Sequence, residues 1–134
     1  MAAHTYPLVD AGRRLPLPAV DDIRPTPNGF IGRKKVVPDD PYLSGHFPEL
    51  TVYPGVFLVE SLQQMLELHL DGALGGVDLT ELRSVRFSRP ALAGDVVELD
   101  TDITGDRTDL LTHTTCSIDG QRCARITARW RCRT

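Results

Sequence analysis

His46 and Glu60 are the two side chains whose types and spacing most suggest chemistry. Histidine titrates near pH 7 and can act as a general base. A carboxyl group carried on an otherwise apolar helix can stay protonated and act as the matching acid. Between them, Gly55 and Val56 follow Pro54 at what reads as a helix start. Amides there lack intrahelical acceptors and can stabilise an oxyanion. Such a set suits proton transfer beside a carbonyl group. Taken singly, each residue has a plainer reading: His46 as a structural or surface histidine, and Glu60 as the solvated edge of its helix.

The positioning elements follow from periodicity. A helix is predicted from near Pro54 and Gly55 to about Ala73, free of internal proline, with Gly72, Gly75 and Gly76 as stop signals. Val56, Phe57, Leu58, Val59, Leu62, Met65, Leu66, Leu68 and Leu70 make it apolar over most of its circumference, as in a helix buried on several sides. Glu60, Gln63, Gln64 and Glu67 then form one narrow polar stripe. Gln64 is expected to be a structural hydrogen-bonder beside the site.

Beyond the helix the period becomes 2. Leu82 to Arg89, Val96 to Ile103, Leu110 to Ile118 and Arg122 to Arg133 read as strands, with turns at 93–95, 105–107 and Asp119-Gly120. In the last strand Ile126, Ala128, Trp130 and Cys132 take one face and the arginines the other. Upstream, proline-rich residues 1–30 predict loop with at most short extended pieces. Phe30 to Val37 suits a strand and Pro38 to Pro41 a turn. The expectation is an α+β domain over residues 1–134, irregular over 1–16, with an antiparallel sheet wrapped around one long helix.

The net charge of −3 does not point to nucleic acid or an anionic membrane. No apolar run approaches a transmembrane length, and the start lacks the layout of a signal peptide, so a cytoplasmic location is expected. Cys116, Cys123 and Cys132 are expected as reduced thiols in strands; with His113 their spacings match no familiar zinc pattern, and no metal is expected.

The run from Tyr42 to Gln64 resembles the signature of the beta-hydroxyacyl-acyl carrier protein dehydratases of FabZ and FabA type. The matching pieces are Gly45-His46-Phe47-Pro48, Pro54-Gly55-Val56, and Glu60 with Gln64, the histidine and carboxylate standing fourteen residues apart as in the family. Val85 to Pro90 and Gly94-Asp95 resemble its RFxRP and GD elements. The resemblance implies a hotdog fold and dimers that join two sheets into one. It also implies active sites pairing His46 of one subunit with Glu60 of the other.

It further implies dehydration of a 3-hydroxyacyl thioester on acyl carrier protein to the trans-2-enoyl product, without metal or organic cofactor. Gly55 would make the main oxyanion contact, with Val56 beside it. Phe47, Phe57 and Gln64 would support the site or line the acyl channel. A homodimer is expected, with heterodimer and trimer of dimers left open. A hotdog thioesterase and a non-catalytic subunit of a heterodimer are the rival readings.

Several residues depart from the family. The comparable N-terminal stretch, Leu15 to Asp21, lacks the usual basic part; Glu49 to Thr51 replaces a glycine and a proline; and Phe57 stands where a smaller aliphatic residue is common. With 13 arginines against 2 lysines, a high-GC genome and a pathway-specific enzyme of polyketide or polyene synthesis are suggested. Arg83, Arg86 and Arg89, expected on one strand face, and Arg33-Lys34-Lys35 read first as solvated surface. Their functional alternative is a dock for an acidic carrier protein.

Overall fold

The computed structural model describes residues 4–5, 20–36, 52–53, 55–70 and 76–133. The elements in chain order are β1 (His4–Thr5), β2 (Asp22–Thr26), β3 (Gly29–Lys35), β4 (Val52–Tyr53), α1 (Gly55–His69), β5 (Val77–Phe87), β6 (Ala91–Leu92), β7 (Val96–Asp106), β8 (Asp109–Ile118) and β9 (Gln121–Cys132). One antiparallel sheet has the order β1-β2-β3-β7-β8-β9-β5, and β4 pairs with β6. This is the expected α+β arrangement, with one helix against one antiparallel sheet.

The helix starts where the sequence places it and ends earlier, at His69. Leu70 still donates to the carbonyl of Leu66 (3.0 Å), so the last turn closes just past that end. Of the expected stops, Gly72 and Gly75 lie outside the described residues, and Gly76 has a φ of 85° just before β5. Leu58, Ser61, Leu62, Met65 and Leu66 form the buried stripe, and no residue from Phe57 to Leu70 is exposed. The expected burial on several sides is therefore met. The helix approaches β3 closely at Gly32, where any Cβ would collide with the Met65 thioether. Removing the side chain is what lets backbone and helix meet there.

β7, β8 and β9 pair in long registers, and the alternation expected of β9 is observed: Ile126, Ala128, Trp130 and Cys132 are buried. The Trp130 indole donates to Thr112 Oγ1 (2.9 Å), and Thr112 in turn donates to the carbonyl of Ala128 (3.3 Å). The Thr101 and Thr114 hydroxyls pair at 2.9 Å. The core thus contains a short polar ladder with its partners present. Cys116, Cys123 and Cys132 are free and buried in β8 and β9.

Three further regions differ from the sequence-based expectation by more than a residue or two in their limits or element type. β5 begins at Val77 rather than Leu82, because bulges interrupt its register with β9 between Leu79 and Glu81 and between Leu82 and Ser84. Two bulges erase the period of 2 on which recognition depends. β2 forms a hairpin with β3 in a region expected to be mostly loop. β7 runs on to Asp106, so the next turn falls at Arg107-Thr108, one residue later than expected. Asp106 sets that turn: its Oδ1 accepts from the amide and hydroxyl of Thr108 (2.9 and 2.6 Å), which holds its carboxyl below the usual range. Asp119-Gly120 is a tight turn as expected, with φ of 52° and 78°.

Candidate active site

Gly55 is the first residue of α1, so its amide and that of Val56 belong to the turn whose N–H groups have no intrahelical acceptor. Glu60 lies five residues further on the same helix and is partly buried. Gln64, one turn beyond and only 4% exposed, donates from Nε2 to Glu60 Oε1 at 2.9 Å. A buried amide therefore holds one oxygen of the carboxyl group, which restricts its rotamer. Phe57 is partly buried and packs against the core. His46 and Phe47 lie outside the described residues, and the side chain of Val56 is likewise not described.

The polar stripe divides into two pairs with different tasks. Gln63 Nε2 donates to the carbonyl of Val77 (2.9 Å), and the amide of Val77 donates to Glu67 Oε2 (2.9 Å). Both backbone groups of one residue are thus clamped by the helix. Gly76 precedes it with φ of 85°, and a Cβ there would strike the Glu67 carboxylate. This clamp was not anticipated; a glycine next to a strand start, opposite two helix amide and carboxyl groups, is the signal that could have found it. His69 at the helix end lies 5.4 Å from the Phe30 ring, and burial pushes its pKa down.

The basic groups part company. Arg83 falls at the second bulge, 3.7 Å from Glu81, while Arg86 stands opposite Arg125 and Arg89 donates to Gln121 Oε1 (2.7 Å) beyond the strand end. The expected shared face does not form, because the spacing is three residues and the bulge shifts the register. Instead Arg86, Arg122 and Arg125 line a recess of about 380 Å³ with Phe87, Ser88 and Ala124. Arg33 is bound by both oxygens of Asp22 (3.0 and 2.9 Å) and Lys34 is buried 3.9 Å from Asp21, so the second patch is largely neutralised. Among the described residues no group of three His, Cys, Asp or Glu side chains could hold a metal ion. No helix among them is long and apolar enough to cross a membrane.

A single helix packed on an antiparallel sheet, with a carboxyl group near the helix start, is the hotdog arrangement. Solved structures agree. The ApeI:P dehydratase heterocomplex of Xenorhabdus doucetiae matches with a TM-score of 0.65 at 19% identity, covering 82% of this chain and 92% of that one. A hexameric thioesterase of Yersinia pestis matches with a TM-score of 0.60 at 14% identity, covering 76% and 84%. At such identities the likeness shows the fold alone. The model of the ApeI-like dehydratase family matches residues 23–127. A 3-hydroxyacyl-(acyl-carrier-protein) dehydratase FabZ of Nitrosomonas eutropha is 32% identical over 126 residues, covering 88% of this chain and 83% of that protein. The chain belongs to the ApeI-like dehydratase family, and the enzyme class implied by the motif around His46 and Glu60 is the one these relatives carry.

Proposed function

We propose that this chain eliminates water from a 3-hydroxyacyl thioester carried on acyl carrier protein, giving the trans-2-enoyl thioester. His46 takes the C2 proton. Glu60, one oxygen held by Gln64, protonates the departing C3 hydroxyl through the other. The amides of Gly55 and Val56 stabilise the enolate-like thioester oxygen, and Phe47 and Phe57 border the acyl chain. The observation that carries this reading is the Glu60–Gln64 pair, set one and a half turns from a helix N-terminus.

The reading is supported by the substrate named for the Nitrosomonas relative. The thioesterase neighbour shares the fold at 14% identity, well below the 32% of the dehydratase relative. We further take the chain as one domain of a cytoplasmic dimer in which each site draws on both copies. The departures at 15–21 and 49–51 favour a specialised polyketide or polyene pathway over bulk fatty acid synthesis.

The test is turnover of 3-hydroxyacyl carrier proteins of graded chain length, with products followed by mass spectrometry. Enoyl product is expected, and His46→Ala or Glu60→Gln should each lower kcat/KM at least about 100-fold. Thiol release without enoyl product, or unchanged turnover in both variants, refutes the assignment.

A further inference from the structure

The recess at the end of β5 gathers three guanidinium groups that no carboxylate neutralises among the described residues. Elsewhere the arginines are paired: Arg33, Arg83, Arg129 and Arg133 stand between 2.8 and 3.7 Å from a carboxylate oxygen. Arg86, Arg122 and Arg125 are not, although acidic residues outnumber basic ones in the chain, 18 to 15. Arg86 faces Arg125 directly across the β5–β9 pair, and the β8 residues opposite Arg125 and Arg122 are the neutral Thr115 and Ser117. Like charges set opposite one another on adjacent strands destabilise the pairing. An anion supplied from outside the chain would relieve that repulsion.

A bulge in β9 makes the cluster. Strict alternation sends side chains three residues apart to opposite faces of a sheet. Here the register with β8 slips between Cys116 and Ser117, and Cys123 and Ala124 are buried in succession. Arg122 and Arg125, on either side of them, are therefore both exposed on the outer side. The end of β5 is tied onto this bulge. The amides of Ser88 and Arg89 donate to the carbonyl of Cys123 (2.8 and 3.4 Å), and the Ser88 hydroxyl donates to the carbonyl of Arg122 (3.3 Å). The Arg89 guanidinium donates to Gln121 Oε1 (2.7 Å). The backbone that carries the three charges is thus held before any ligand arrives, which lowers the cost of binding one.

The geometry points to a second ligand site, in which Arg86, Arg122 and Arg125 hold a small molecule bearing a phosphate monoester or a diphosphate, seated against Phe87 and Ala124. Guanidinium forks match phosphate oxygens two at a time. The recess, about 380 Å³, is on the scale of a small-molecule site. Charge selects within the class. A phosphate monoester carries close to two negative charges at pH 7, and a diphosphate at least as many, whereas a phosphodiester carries one. Three cations without a counter-ion suit the first two. A free nucleoside diphosphate and the nucleotide part of coenzyme A share this chemistry; the arm of a carrier protein, joined through a diester, does not. No residue of α1 lines the recess, so the site is separate from Glu60 and does not depend on the dehydration reading.

Isothermal titration calorimetry of the full chain in low-salt buffer tests this, with pyrophosphate, ADP, coenzyme A and holo-acyl carrier protein as probes. Pyrophosphate and at least one of ADP and coenzyme A should bind. Arg122→Gln/Arg125→Gln, checked for folding by circular dichroism, should weaken each at least tenfold. Arg24→Gln/Arg131→Gln removes the same charge from exposed positions outside the recess and should change Kd less than twofold. ADP binding as tightly as coenzyme A assigns the site to free nucleotides, and coenzyme A binding at least tenfold tighter assigns it to the coenzyme. Bound pyrophosphate should also raise the urea midpoint of the wild type and leave that of the recess variant in place. Failure of pyrophosphate, ADP and coenzyme A to bind, equal losses in the two double variants, or binding of holo-acyl carrier protein alone each overturns the inference. Because no turnover enters the measurement, such a failure leaves the dehydration reading intact.

Discussion

At Gln64 a nearly buried amide spends its donor on Glu60, and the pair lies on the one helix face that the sequence had marked as polar. Holding one carboxyl oxygen leaves the other in a defined place for proton transfer. Replacing Gln64 by Met keeps the volume and removes the donor. The expected result is a kcat about tenfold lower, a KM within about twofold, and a shifted pH profile, since a misplaced acid weakens transfer more than binding. A purely structural Gln64 would leave the profile in place, which a kcat-against-pH series reads directly. The candidate carboxyl group was legible because a polar position on an apolar helix is conspicuous. The division of labour was not: sequence spacing shows that Glu60, Gln63, Gln64 and Glu67 share a face, but the Val77 groups that engage Gln63 and Glu67 belong to another element.

Among the elements, β7 to β9 were legible because one face is buried and the period of 2 survives. β2 was obscured by Pro25, which cannot donate to a ladder. It is tolerated because β1 pairs only with Asp22 and Ile23, leaving Pro25 open on that side among the described residues. β5 was obscured by its bulges and by exposure on both faces. The core of β8 and β9 depends on a satisfied indole. Thr112→Val keeps the shape but strips the acceptor from Trp130, and should cost about 1–3 kcal/mol in urea unfolding. Thr112→Ser retains the oxygen and should recover most of the hydrogen-bond contribution. If Val and Ser variants unfold together, the bond contributes little.

The molecule as a whole should lose stability in alkali, and one thiol supplies a clear reason. Burial, with the nearby Cys123 adding to it, pushes the Cys116 thiol up to about 12. Between the ordinary thiol range and that value, the folded chain keeps a proton that the unfolded chain releases. Stability is therefore full below about pH 8.5 and falls as pH rises toward 12, by at most about 1.4 kcal/mol per pH unit for that group. Cys116→Ala should lower stability at pH 7 by about 1 kcal/mol through lost packing, while flattening the decline above pH 9. Urea midpoints from pH 7 to 11 measure both effects, and an unchanged slope would refute this origin.

The clamp on Val77 also bears on the order in which the chain can assemble. Gln63 and Glu67 reach a residue only fourteen and ten positions ahead, whereas β3 must find β7 across some seventy. Closing a short loop costs less chain entropy than closing a long one. Docking the helix on the first residues of β5 is therefore cheaper in chain entropy than pairing β3 with β7, though the hairpins close shorter loops still. The piece of the molecule that carries the candidate acid is thus tied to the sheet edge through a loop far shorter than the one that brings β3 to β7.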